Sequence, residues 1–438
     1  MVVTLPYGKG YLRANLPEKT RILEAGKGEV IDSPEAEIKR YLKTPIGSKP
    51  LAEIVRKKKP KDVCIVVSDH TRAVPNRIIL PPLLEELKSV GLPSSAIKLL
   101  VATGMHRPTT LEEKLEILGG EIVENYPIED HDAQDKGSLA KLEFEGEEFI
   151  INRSYLGAGL KILTGLIESH FMAGFSGGRK SICPGIAGME TIKYFHSPAL
   201  LESPYAQSGT LKGNPCHIFA LKMAAAAGVD FILNVTLNKE KRITGLFSGD
   251  FKKAHLSGVE HCLKENLVYV NRPFEIVVTT NGGYPLDRDL YQTVKGLVAA
   301  GEIVSEGGLI ICAAECQDGM GSERFRRLLF EMKGPDEFLK RISQPGFFIP
   351  DQWEVEELVK VLKKVRVQLY STGLNKEEIK KAHLEPIESI EGAVKEGLKE
   401  YGGKANVAVI PGGPYTIAKL KKRGPICIRR WNQRLSPR

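Results

Sequence analysis

The chain has 438 residues, more than one ordinary hydrophobic core can organise, so two domains are expected. Its 42% hydrophobic and 26% charged residues are those of a globular protein, and no apolar run approaches the roughly 20 residues of a membrane helix. The net charge of +8 is concentrated: residues 419–438 hold eight Lys or Arg and no acid, which argues against a general nucleic-acid face on the rest.

The start, Met1 to Tyr7, lacks a basic stretch followed by an apolar one, so no secretory signal is read and a cytoplasmic location is expected. Seven scattered cysteines fit a reducing compartment rather than a disulfide framework. Cys312 and Cys316 lie close together, but no second pair completes a zinc site.

Residues 1–60 read as a β-rich start followed by polar helices at Pro34–Leu42 and Leu51–Lys58. Apolar strands then alternate with helical segments, the pattern of a parallel sheet covered on both faces. Strands are predicted at Val63–Val67, Ile97–Ala102, Leu160–Ile167 and Phe231–Leu237. Helices are predicted at Ile78–Val90 and Ile218–Ala227, a helix start at Thr109–Glu113, and a hairpin over Lys141–Arg153. A boundary falls near Leu267–Pro273. Beyond it, strands are predicted at Phe274–Thr279, Gly308–Cys312, Val365–Leu369 and Ala405–Ile410. Helices there cover Asp289–Ala300, Glu323–Met332 and Glu354–Lys364. The expected fold is therefore α/β, with two Rossmann-like domains, each a mostly parallel sheet flanked by helices. The domains are an N-terminal one over 1–270 and a C-terminal one over 271–419, followed by a basic tail over 420–438.

In open parallel sheets, ligands sit beyond the carboxyl ends of the strands. The segments at those ends here are polar and often carry histidine: Ser68-Asp-His-Thr-Arg72, Thr103-Gly-Met-His106, Glu168-Ser-His170 and then Gly174 to Lys180. In the second half, Asn281 to Lys295 and Glu315 to Gly321 succeed strands in the same way. His131, His255, His261 and His383 fall in polar or helical surface contexts. Asp69 or Thr71 alone would be a helix cap, and Lys180 alone a solvated lysine. Their recurrence at strand after strand points to an active site in the interdomain cleft.

The available chemistry is narrow. No G-x-G-x-x-G, G-x-x-x-x-G-K-[ST], H-E-x-x-H or G-x-S-x-G stands in the required context, so an exchanging dinucleotide, a Walker triphosphate site, a zincin and a serine hydrolase are disfavoured. Glycine amides with Arg179 suit a phosphate, which puts Ser176, Gly177, Gly178 and Arg179 forward as its cradle. Two histidines suit proton transfer in both directions near neutral pH. Arg72, Gln292 and Lys295 suit a small carboxylate. An available lysine suits a covalent link.

Ser68–Arg72, Ala102–Thr109, Glu168–Ser181, Thr280–Asp287, Tyr291–Gly296 and Pro350–Trp353 together resemble the nickel-pincer lactate racemases. The likeness runs from about residue 2 to Lys419. It implies a nickel ion held by a pyridinium-3,5-bisthiocarboxylic acid mononucleotide, joined covalently through a thioamide to Lys180, with His196 as the protein's nickel ligand. A sulfur-rich, square-planar set with one imidazole suits Ni(II). His106 and His170 match the acid/base pair of a 2-hydroxy acid racemase that works by reversible hydride transfer through a 2-keto acid. Arg72, Gln292 and Lys295 match substrate-positioning groups, with Tyr291 beside them, and Asp69 and Trp353 match residues lining the cofactor. The implied partners are a small 2-hydroxy acid and the enzymes that make the cofactor, with no nucleic acid and no membrane; a homo-oligomer is left open. The segments Lys193–Leu201 and Gly213–His217 depart from the best-known lactate racemase. Lactate is thus the first candidate, with malate, aryl or longer-chain 2-hydroxy acids and sugar acids as alternatives. A non-catalytic mononucleotide- or nickel-binding protein is the contrasting reading.

Overall fold

Alternation along each strand divides the apolar residues between the two faces of two separate sheets. The computed structural model describes residues 1–26 and 28–421. The first sheet has the order Ile243–Gly249, Phe231–Leu237, Leu160–Leu166, Val63–Ser68, Ile97–Ala102, Ile128–Asp130. All neighbours are parallel except the Ile243–Gly249 edge, which runs antiparallel to Phe231–Leu237. In Val63–Ser68, Val63, Ile65 and Val67 enter one core while Cys64 and Val66 enter the core on the opposite face. That is why the run is apolar throughout rather than alternating.

The second sheet, entirely parallel, has the order Glu385–Pro386, Arg366–Tyr370, Val304–Ala313, Phe274–Thr280, Val407–Ile410, Arg21–Ile22. Val277, Ile310 and Ala408 face one core, while Ile276, Val278, Leu309, Ile311 and Val409 face another. The two-domain α/β architecture read from the sequence is therefore present. The expected strands appear within a few residues of their predicted bounds, and Lys141–Arg153 forms the hairpin Leu139–Phe144 with Glu147–Asn152.

The domain limits need correction at both ends. Arg21–Ile22 pairs with Val407–Ile410, so the start of the chain completes the second sheet, not the first. The hairpin of Val2–Tyr7 and Gly10–Asn15 goes with it: Val3, Leu5, Ala14 and Leu16 lie in the same core as Ile276 and Val409. These residues alternate apolar and polar and need a partner face, which the second sheet supplies. At the other end, the strand Ile417–Leu420 pairs with Leu267–Val270, and Lys419 binds Glu302 at 3.0 Å. The expected tail thus begins inside a strand. From Lys422 onward it lies outside the described residues.

Each sheet carries a topological switch at which the chain winds away in opposite directions. In the first sheet this falls between Val63–Ser68 and Leu160–Leu166, so the segments Ser68–Arg72 and Ile167–Lys180 emerge side by side. Helices Leu290–Gly301 and Gln352–Lys364 of the second domain approach that edge with their first turns.

Candidate active site

A cavity lies at this edge, with an empty volume of about 1160 Å³, its open mouth included. Ser68–Arg72, Ala102–His106, Gly165 to Gly185 in part, and His196 line it from the first domain, and Tyr291, Gln292, Lys295, Trp353 and Glu354 from the second. Sequence-predicted site residues thus meet in one place from six separate segments.

Asp69 ends the first strand in a buried position. Its Oδ1 accepts the Thr71 hydroxyl at 2.6 Å, and its Oδ2 lies 2.6 Å from His106 Nδ1. Burial works to raise the Asp69 pKa, but hydrogen bonds from His106 and Thr71 outweigh it and hold the carboxyl below its ordinary value. The carboxylate therefore fixes the Nδ1–H tautomer of His106 and leaves Nε2 as an open lone pair, on a side chain that is 48% exposed.

His170 is held in the opposite sense. Its Nδ1 accepts the backbone N–H groups of Met172 and Ala173, each at 3.2 Å. The ring proton therefore sits on Nε2, which lies 2.7 Å from Lys180 Nζ. Burial is the largest cause that keeps this imidazole well below its ordinary pKa, and the cations Arg72 and Lys295 beside it add to the shift.

His196 ends the helix Met189–Phe195. Its Nδ1 donates to Ile192 O at 3.1 Å, and its ring stacks on Trp353 with centroids 4.4 Å apart. Burial, reinforced by Lys180, pushes its pKa down to about 3, so the ring is neutral. A neutral imidazole with one nitrogen bound to a carbonyl and the other free has the orientation of a metal ligand. Among the described residues no three His, Cys, Asp or Glu side chains converge on one point, so His196 stands without a cluster of such ligands around it. That donor set fits a cofactor-held metal with one protein ligand.

Arg72 reaches Glu168 at 3.1 Å, and Lys295 donates to Gln292 Oε1. Tyr291, Gln292 and Lys295 share the first turn and a half of one helix, which Asp289 caps by accepting Gln292 N at 2.7 Å. Trp353 Nε1 donates to Tyr291 OH at 3.2 Å.

The phosphate cradle expected around Lys180 is only half present. Gly177 lines the cavity, and so does Ser176, but the Ser176 hydroxyl already serves Leu166 O at 2.7 Å and Glu168 N at 3.0 Å. Gly178 and Arg179 point the other way. The 3-10 turn Gly178–Ser181 rotates successive side chains, so Lys180 faces the cavity and Arg179 the core. Arg179 is 1% exposed, donates to Ala173 O at 2.8 Å and lies 2.9 Å from His255 Nε2. His255 and His131 are correspondingly buried, not surface residues as expected.

Sequence reasoning also passed over Glu354. It lines the cavity beside Trp353, is 2% exposed, and its Oε1 has no hydrogen-bond partner among the described residues. Burial raises its pKa well above the ordinary value, with the charge of Lys295 opposing.

Two lactate racemase family models match the chain in order, the N-terminal domain over residues 7–209 and the C-terminal domain over 270–417. The chain belongs to the lactate racemase family. It is 39% identical over 428 residues to the lactate racemase of Thermoanaerobacterium thermosaccharolyticum, covering 96% of this chain and 99% of that one. It is 38% identical over 427 residues to the lactate racemase of Lactiplantibacillus plantarum, covering 96% and 100%. The apoprotein structure of the Thermoanaerobacterium thermosaccharolyticum lactate racemase matches at a TM-score of 0.90 and 38% identity, over 96% of this chain and all of that one. A Thermotoga maritima protein of known structure shares the fold alone, with a TM-score of 0.67 and 20% identity over 90% of this chain and all of that one. The family resemblance carried by the strand-end motifs is thereby borne out.

Proposed function

We propose that this protein is a nickel-dependent racemase or epimerase of 2-hydroxy acids, with lactate the first candidate, using a pincer mononucleotide joined to Lys180 and nickel held by His196. Membership of the lactate racemase family supports a racemase acting on a hydroxy acid. The observation that carries the finer reading is the pair of imidazoles held in opposite orientations on one cavity: His106 with Nδ1 on the Asp69 carboxylate, His170 with Nδ1 accepting two backbone N–H groups. A racemase must take a hydroxyl proton from one enantiomer and return one to the other, so a ring with its lone pair toward the substrate and a ring with its N–H toward it suit the task. When bound, the pincer group supplies a reversible hydride acceptor for the substrate C2.

The chain's own residues supply the rest. His106 Nε2 accepts the hydroxyl proton, and Asp69 stabilises the imidazolium that results. His170 Nε2–H donates a hydrogen bond that polarises the reacting oxygen, strengthened by Arg72 and Lys295 beside it. Arg72, Gln292 and Lys295 hold the substrate carboxylate, and Tyr291 keeps Trp353 against His196. A non-catalytic nickel or mononucleotide binder would have no use for the Asp69–His106 pair.

Co-expression with the cofactor-making enzymes and then intact and peptide mass spectrometry test the tether. An adduct on Lys180 with one nickel per chain is expected, and protein that racemises with an unmodified Lys180 would sink it. His196→Ala is expected to keep the adduct and lose most of the nickel by elemental analysis.

A further inference from the structure

The contact between His170 and Lys180 has a second consequence, which rests on Lys180 being the cofactor's attachment point. We propose that in the unmodified chain His170 holds Lys180 as an uncharged amine, so that the protein presents a ready nucleophile to an incoming thiocarboxylic acid.

The backbone sets the proton positions. Two amide protons, from Met172 and Ala173, point at His170 Nδ1, so that nitrogen can only be a lone pair. A neutral ring then carries its proton on Nε2, 2.7 Å from Lys180 Nζ. An ammonium offers protons alone and would meet this N–H donor against donor. An amine offers a lone pair and accepts it.

The surroundings agree. Asp69 and Glu354 line the same cavity, but the groups that act on Lys180 most strongly are Arg72, Arg179, Cys216 and Cys183, with His170 in contact and His196 beside it. None is a carboxylate, and burial pushes both thiols up, Cys216 to about 12, so neither is an anion at neutral pH. Phe195 covers Lys180, with Nζ 5.6 Å from the ring centroid. Burial, then the cations Arg72 and Arg179, hold its pKa well below that of an ordinary lysine. A desolvated lysine beside other cations is one of the general ways to make a nucleophilic amine.

The step balances without oxidant or reductant. Nζ attacks the thiocarboxyl carbon and a C–N bond forms. The C–O bond breaks, and the oxygen leaves as water with one proton from the amine and one from solvent, giving a thioamide from the ionised thiocarboxylic acid. The thioamide nitrogen no longer accepts, so His170 Nε2–H is released to face the substrate. Attachment of the cofactor and release of this N–H donor are then one event.

The test uses the full chain expressed without cofactor-making enzymes. It is treated briefly with the N-hydroxysuccinimide ester of acetic acid from pH 6 to 10, and acetylation is read site by site by peptide mass spectrometry. Here Nζ takes the acetyl group, and its proton leaves with N-hydroxysuccinimide. Lys239, whose side chain is 73% exposed, is the internal reference. The Lys239 rate should go on climbing with pH across the whole range, while the Lys180 rate should level off within it. In His170→Ala the Lys180 profile should move up by at least one unit, roughly tenfold slower at pH 7. Parallel profiles for Lys180 and Lys239 would overturn the proposal, as would an unchanged profile in His170→Ala. If that variant fails to fold, the profile of the unaltered chain decides. Because the probe is a simple ester, a missing adduct in matured protein would overturn the proposed function without touching this result.

Discussion

At 2.6 Å from His106 Nδ1, the Asp69 carboxylate determines which nitrogen of the ring can act as a base. Asp69→Asn replaces an acceptor with a group that can donate to Nδ1 and so favours the opposite tautomer. In matured protein kcat is expected to fall by roughly a hundredfold or more, with adduct and nickel intact, measured by separating the enantiomers over time. Asp69, His106 and His170 were legible in the sequence because each closely succeeds a strand that had to be buried on both faces. Arg179 was not. Its charge beside glycines suggested phosphate, but the direction of a side chain in a 3-10 turn depends on the register of the turn, and composition carries no record of that. His255, the residue that lies against Arg179, gave no signal at all, since a buried histidine on a helix has the same letters around it as an exposed one. Glu354 was hidden for a related reason: acids on a helix read as a solvated face, whereas this one is buried beside the cavity.

The loop Gly174–Lys180 depends on its glycines at specific places. Gly178 has φ +50°, and a Cβ there would stand 2.8 Å from His255 Cδ2; Gly177 has φ +72°, and its Cβ would meet Asn234 Oδ1 at 2.9 Å. Gly178→Ala is expected to cost about 2 kcal/mol, from backbone strain and the displaced ring. Denaturant unfolding monitored by circular dichroism measures it, and His255→Ala in the same chain should return part of the loss. Among the regular elements, those with strong periodicity were read closely, including the Thr110 cap, which forms a reciprocal pair with Glu113. The strand Ile243–Gly249 was not assigned. It has two glycines and a serine in seven residues, so its β character comes from pairing with Phe231–Leu237 rather than from its own composition. The helix Lys253–Asn266 was missed as well, because Gly258 and two histidines interrupt its apolar face.

Across the whole molecule, Lys360 links the two domains from the helix Gln352–Lys364: its Nζ donates to Leu201 O at 2.7 Å and Glu357 at 2.8 Å and lies 3.6 Å from Glu202. Glu356, 3.7 Å from Lys360, is fully buried, and neither of its oxygens has a hydrogen-bond partner among the described residues. Burial raises its pKa to about 9; Lys360 opposes the shift and the Glu202 carboxyl adds to it. An acid whose pKa rises on folding contributes fully below its unfolded value, near 4.5, and loses that contribution as pH climbs toward 9. Between pH 4.5 and 7 the loss is on the order of 3 kcal/mol. Glu356→Gln is therefore expected to raise the midpoint of thermal unfolding by several degrees at pH 8 and to leave it nearly unchanged at pH 4.5, as read by calorimetry. The overall plan was legible because strand–helix alternation runs in two series, but the membership of residues 1–23 was not, since long-range pairing leaves no local mark. That pairing also sets an order of assembly. The first sheet is drawn wholly from residues 63–249, so it can close while synthesis continues. Arg21–Ile22 must wait for Val407–Ile410 before it has a neighbour, and the hairpin beside it waits too. A segment made early is thus among the last to be placed. Until then its unpaired edge is available to other chains, so a slow or interrupted ribosome exposes the N-terminal hairpin, not the active-site loops, to aggregation and to proteases.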